Sequence, residues 1–258
     1  MSISKKILRV KKGEKKVVIV FDNGDKLEIT PNVYTDFILF PGKALSKKDI
    51  DEIKNRNEID KYLAYATKLL GQRPYTKYKL KEKLLKKGAN DEQIDQVIEI
   101  LIKYQLLDDK AIIKDFLEYA DYRHFGYNRI KEELYKKGIS SIYIDKIKYN
   151  EERDLKHAAI LTKEYEKKYS KYNYAKMKEH IYQTLLRMGY SYDVASSSLD
   201  KVTPINEKKE LELLKVDYKK TKEKYSSKYS GYELKEKITN SLLSKGYRYK
   251  DIQTLKEN

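Results

Sequence analysis

From about Ser46 to the C-terminus, apolar residues recur every three or four positions, the mark of amphipathic helices that each bury one face. The first thirty residues follow a different rule. Val17-Val18-Ile19-Val20-Phe21 is a β-branched run, and after Asp22-Asn23-Gly24-Asp25 comes Lys26-Leu27-Glu28-Ile29-Thr30. Asn-Gly between two strand-like segments signals a hairpin, because the tight turn needs positive φ at both central residues. Ile7-Leu8-Arg9-Val10, ahead of Gly13, is a candidate third strand. Residues 5–30 therefore read as a small β module, with Pro31 and Pro41-Gly42 punctuating the way out. Ser46-Lys47-Lys48-Asp49 then opens the helical part, with Ser46 as N-cap.

The helical part repeats itself. Leu84-Leu85-Lys86-Lys87-Gly88 returns as Leu134-Tyr135-Lys136-Lys137-Gly138, Leu185-Leu186-Arg187-Met188-Gly189 and Leu242-Leu243-Ser244-Lys245-Gly246. Eight positions before each glycine stand Leu80, Ile130, Ile181 and Ile238; four before stand Leu84, Leu134, Leu185 and Leu242. Six after stand Ile94, Ile144, Ala195 and Ile252. The first two columns share a helical face, and the glycine sits where a helix ends in the left-handed region. Segments 59–70, 111–124, 155–169 and 205–229 supply one more helix per unit. The expected architecture is mainly α: tandem three-helix repeats forming an elongated, curved array behind the β module. Its segments are 1–45 (β module and linker), 46–106 (first helical unit), and three further repeats at 107–150, 151–203 and 204–258.

Charge adds a partner class. The chain carries 56 Lys+Arg against 40 Asp+Glu, a net +16, with a pI near 9.4. That excess favours an anionic partner: nucleic acid, a membrane surface or an acidic protein face. Other classes fall away. With no cysteine there is no disulfide, thiolate metal site or cysteine nucleophile. His124, His157 and His180 stand too far apart for ligand spacing on one helix. The apolar runs 17–21, 37–40 and 158–161 are far short of a membrane span, and residues 1–9 hold no signal-peptide core. A cytoplasmic, monomeric protein with no cofactor is expected.

Positions −9, −5 and −2 from each glycine form a stripe beside the apolar face. They are Lys79, Lys83 and Lys86 in the first unit, then Arg129, Glu133 and Lys136, then His180, Thr184 and Arg187, and last Lys237, Ser241 and Ser244. The basic character is densest in the first unit, which reads either as a contact surface or as a solvated helix face. The N-terminal cluster Lys5, Lys6, Arg9, Lys11, Lys12, Lys15 and Lys16 reads either as protection of a sheet edge or as an arm on phosphates. The 25 tyrosines are read chiefly as packing residues rather than base-stacking platforms. Leu107-Asp108-Asp109 is read as helix capping rather than a catalytic carboxylate pair, since no second chemical group accompanies it. No phosphate loop, metal cluster or nucleophile constellation points to an enzyme.

Arg73-Pro74-Tyr75-Thr76, Leu80, Leu84 and Lys87-Gly88 resemble the first helical repeat of the RecX family of recombinase regulators. The likeness continues through Leu107-Asp108-Asp109, Arg123, Gly126, Arg129-Ile130, Glu133-Leu134 and Lys137-Gly138-Ile139. It departs where that family often has glycine before Leu-Asp-Asp, since Tyr104-Gln105-Leu106 stand here, and where Ile112-Ile113 replace Phe-Ala. The resemblance implies a negative modulator that binds the RecA–DNA filament and limits its growth, ATPase and strand exchange in DNA repair and the damage response. It implies single- or double-stranded DNA as a further partner, and a general DNA-binding repeat protein is the alternative. The candidate filament- or DNA-contacting residues are Arg73, Lys79, Lys83, Lys86, Arg123, Arg129, Lys136 and Arg187.

Overall fold

Gly24, at φ +85°, turns the chain between strands β2 (Val17–Phe21) and β3 (Lys26–Ile29), but Asn23 does not take the positive φ expected of it. The loop closes through Phe21 N–H on the Asp25 carbonyl and Gly24 N–H on the Phe21 carbonyl. The computed structural model describes residues 4–257. The candidate third strand is β1 (Lys5–Lys12), paired antiparallel with β2 and bulged between Ile7 and Arg9. A fourth strand, β4 (Ala44–Leu45), pairs with Lys5 and Lys6, giving the order β3-β2-β1-β4. The stretch read as punctuation also holds a helix, α1 (Pro31–Asp36), with Pro31 in its first turn, where a missing N–H is harmless. Both elements are too short to show a period.

Two compact units are present: residues up to Asp115 together with Lys136–Ser140, and Phe116–Tyr135 together with the chain from Ser141 onward. In the first unit Ile7, Ile19, Phe21 and Ile29 of the sheet pack with Val33, Leu39, Leu45, Ile50 and Ile53. Helix α2 (Lys47–Leu70) begins at Ser46, whose hydroxyl and Asp49 form a reciprocal capping box. Its Asn57 accepts from Thr30 N–H and donates to the Glu28 carbonyl, tying α2 to the end of β3. The far half of α2 shares a second core with α3 (Lys77–Lys86) and α4 (Asp91–Lys103), built on Ile59, Leu80, Leu84, Ile94, Val97 and Leu101.

The chain continues through α5 (Asp109–Tyr122), α6 (Tyr127–Lys136) and α7 (Ser141–Ile144). Two longer sets follow: α8 (Glu151–Lys168), α9 (Tyr174–Arg187) and α10 (Tyr192–Leu199), then α11 (Glu207–Ser226), α12 (Gly231–Ser244) and α13 (Tyr249–Glu257). Ile181, Leu185 and Val194 lie in the core of the α8–α10 set, and Leu214, Ile238, Leu242 and Ile252 in that of the last. The three apolar columns read from the sequence are buried in all four copies, none more than 4% exposed. Burying each such side chain is worth about 1.5–3 kcal/mol, so the columns account for much of what holds each set together. A fourth column escaped the sequence reading: Ala89, Ile139, Tyr190 and Tyr247, just after each glycine, are also buried. The four glycines take φ between +77° and +98°.

Candidate functional site

The middle helix of a set starts with backbone N–H groups that have no partner inside the helix. In three places the following set supplies them. At the start of α3, Thr76 accepts from Lys79 N–H (3.3 Å) and donates its hydroxyl to the Lys137 carbonyl (2.6 Å). At the start of α9, Asn173 accepts from Lys176 N–H (2.8 Å) and donates its amide to the Lys245 carbonyl (2.7 Å). At the start of α6 there is no side chain at all: the Gly126 N–H itself donates to the Met188 carbonyl (2.8 Å), and Asn128 N–H donates to the Gly189 carbonyl (3.0 Å). Lys137, Met188 and Lys245 each precede a repeat glycine, so the three bonds are one joint made three times.

An acid completes each joint. Lys77 N–H donates to Asp109 (2.8 Å), Tyr127 N–H to Asp154 (3.1 Å) and Tyr174 N–H to Glu210 (3.2 Å). All three carboxyls are held above their ordinary range by burial, a pull that the same N–H bonds oppose. The expectation that Leu107-Asp108-Asp109 caps a helix is met in divided form. Asp108 accepts from Lys110 N–H at the start of α5, while Asp109 caps α3. Counting from the glycines hides this pattern, because α3 and α6 have 10 residues and α9 and α12 have 14. Counting from the helix starts reveals it.

The predicted contact residues fall into different environments. Lys79, Lys83 and Lys86 share one face of α3. Lys79 is ion-paired to Glu82 (2.8 Å), while Lys83 and Lys86 make no ion pair among the described residues. Arg73 is exposed in the turn before α3, its guanidinium over the Tyr75 ring at 4.7 Å. Lys136 is exposed at the end of α6 and Arg123 just beyond the end of α5. Arg187 is exposed and bonds Thr184 Oγ1 (3.0 Å). Arg129 does packing work: it lies over the Phe125 ring at 3.9 Å and reaches Met188 Sδ. The stripe is thus open in the first unit but turned inward on α9, where Thr184 is buried and His180 packs between Tyr169 and Tyr172.

The tyrosines divide in a similar way. Some, such as Tyr165 and Tyr169, stack in the α8–α10 set, and others, such as Tyr122 and Tyr232, are largely exposed. Folding also brings His124 and His157 together, edge to face at 4.7 Å, although 33 positions separate them. Burial, then the neighbouring Arg153, holds His157 below the usual imidazole range. A cleft of about 500 Å³ in the second unit is lined by Leu117, Ile130 and Ile147 with Asp121, Arg153 and Asp154. Its arginine is already bonded to both aspartates. Among the described residues no group of three or more His, Asp or Glu could hold a metal ion, and no helix is long and apolar enough to cross a membrane.

A β-sheet followed by glycine-jointed three-helix sets defines a tandem helical-repeat protein. The model of the RecX first three-helix domain matches residues 63–101. The regulatory protein RecX of Lactococcus lactis subsp. lactis is 30% identical over 241 residues, covering 91% of this chain and 89% of its own. That of Streptococcus gordonii is 27% identical over 259 residues, covering 97% and 98%. A crystal structure of a regulatory protein RecX matches 76% of this chain and 99% of its own with a TM-score of 0.62 at 22% identity. That of RecX from Lactobacillus salivarius matches 57% and 97% with a TM-score of 0.51 at 24% identity; at these identities the likeness speaks for the fold. The chain belongs to the RecX family of regulatory proteins.

Proposed function

We propose that this protein acts in the cytoplasm on a RecA–DNA filament, binding it and lowering its ATPase and strand-exchange activities. The observation that carries the reading is the open basic face of α3. Lys83 and Lys86 make no ion pair among the described residues, on a helix whose start is fixed by Thr76 and Asp109. A rigid helix presenting unpaired cations suits an anionic, polymeric target, because little side-chain freedom beyond the lysines themselves is lost on contact. Family membership supports the choice of a recombinase filament over free nucleic acid. No residue role calls for a cofactor.

The test is RecA-dependent ATP hydrolysis on single-stranded DNA, titrated with this protein, beside DNA binding measured alone across salt. Inhibition is expected at levels far below those that coat the DNA. Inhibition that appears only as the DNA saturates would overturn the filament target. Changing Lys79, Lys83 and Lys86 together to Glu should weaken inhibition far more than Lys237→Glu. Equal effects would remove α3 as the contact.

A further inference from the structure

The β-sheet has two faces, and the strand register sorts its residues between them. Val10, Ile19 and Leu27 are paired across the strands on the core side, with Ile7, Val17, Phe21 and Ile29. Alternation puts two cross-strand rows on the other face: Arg9–Val20–Lys26 and Lys11–Val18–Glu28. Arg9, Lys11 and Lys26 are exposed, and none pairs with an acid among the described residues. The one acid of these rows, Glu28, is bonded to Lys16 at 2.9 Å. No aromatic ring lies in either row; Phe21 is in the core, and Tyr34 and Phe37 pack against it.

We propose that this outer sheet face binds the phosphate backbone of double-stranded DNA. Three unpaired cations stand on a hydrogen-bonded sheet with no free acid among them, and that charge is complementary to a polyanion. Arg9 and Lys11 are two residues apart on one strand, about 6.8 Å, and alternation turns both to this face, so both can meet one phosphate backbone. Single-strand platforms rely on aromatic stacking. A face with cations and no ring therefore reads backbone charge, without sequence preference. Charge on the edge strand β3 and on the part of β1 beyond β4 would account for each cation singly. What the proposal uses is that Arg9 and Lys26 stand across β2 from each other on the same face.

Fluorescence anisotropy of a labelled duplex of about 20 base pairs, with the full-length protein across a salt series, tests this. Three phosphate contacts contribute about −2.7 to the slope of log K against log salt, so Lys11→Gln alone should shallow it by about 0.9. The triple Arg9→Glu, Lys11→Glu, Lys26→Glu variant should lose at least about tenfold in affinity at roughly 50 mM salt. These side chains are on the solvent side, and a triple Gln variant with unchanged circular dichroism controls for folding. Wild-type duplex binding by the Glu triple at every salt concentration would overturn the proposal. So would a loss confined to labelled oligothymidylate, which would make the face a single-strand site. Loss of RecA inhibition with duplex binding intact would assign it to an acidic protein surface and also overturn the proposal. The α3 triple should leave the duplex slope of this face in place, so failure here and failure of the filament reading are told apart.

Discussion

The joint at α6 and the joints at α3 and α9 solve one problem by different chemistry. Each must satisfy the open start of a helix and a carbonyl that precedes a repeat glycine. Thr76 and Asn173 do so with side chains that accept with one atom and donate with a hydroxyl or an amide. At α6 the two backbones come so close that a side chain has no room: a Cβ on Gly126 would lie 2.5 Å from the Gly189 carbonyl and the Tyr190 nitrogen. Side-chain joints leave space for exchange between residues that both donate and accept. The backbone joint tolerates only glycine, and Arg129 closes it from the other side against Gly189. Thus the Arg123…Gly126…Arg129 segment, so legible in the sequence, owes two of its three residues to packing.

The largest effects are therefore expected at this backbone joint, and Gly126 isolates the overlap from any φ penalty. Its φ is not in the left-handed region, so Gly126→Ala costs stability through overlap with backbone that cannot yield, about 3 kcal/mol. Thr76→Ala removes one bond and a cap and should cost about 1 kcal/mol. Asn173→Thr keeps a donor and an acceptor and should cost less than Asn173→Asp, which sets a carboxylate against the Lys245 carbonyl. Urea unfolding ranks the variants, and hydrogen exchange at the Asn128 amide localises the loss. Equal costs at Gly126 and Thr76 would erase the distinction between the two kinds of joint.

The same contrast explains what could be read in advance. Apolar columns and glycines recur at fixed offsets because burial and positive φ each restrict residue choice at a single position. The joints escaped because their donors are chemically different, Thr76, a bare backbone N–H and Asn173, and because two middle helices are four residues longer. The strand β4 and helix α1 escaped because pairing and packing, rather than their own periodicity, define them. On α3 the basic stripe was legible as charge. Its inward turn on α9 was not, since Thr184 is buried and His180 is partly covered by the tyrosines around them.

A smaller effect separates the acids of the joints from ordinary helix caps. The carboxyl of Asp109 is raised by burial above its unfolded value. Such a group contributes stability below the unfolded pKa of about 3.9, and that contribution is lost as pH rises through the folded value. Asp109→Asn keeps an oxygen for Lys77 N–H and sheds the buried charge. It should raise the melting temperature at pH 7, with the gain shrinking toward zero near pH 4. Asp109→Ala loses the acceptor and should lower stability at both pH values. A gain from Asn that is the same at both would mean that burial of the charge is not what the joint carries.

The smallest effect is a gain, at a glycine position filled by another residue. Gln105 ends α4 at φ +57°, its N–H on the Ile102 carbonyl and the Leu106 N–H on the Leu101 carbonyl. Gly88 closes α3 with the same pair of bonds, to Leu85 and, through Ala89, to Leu84. Holding a residue with a Cβ there costs about 1–2 kcal/mol, and the greater freedom of glycine in the unfolded chain returns about half of that. Gln105→Gly should therefore stabilise by about 0.5–1 kcal/mol, read as a higher urea midpoint with an unchanged slope. Gly88 has open space, the nearest atom to its Cβ position being Tyr62 Oη at 3.7 Å, so Gly88→Gln should cost the same amount and no more. Gly189→Ala meets the α6 backbone as well as the φ penalty and should cost several times that. If Gly88→Gln and Gly189→Ala cost alike, the glycines serve only to end helices, and the close backbone joint at α6 contributes nothing of its own.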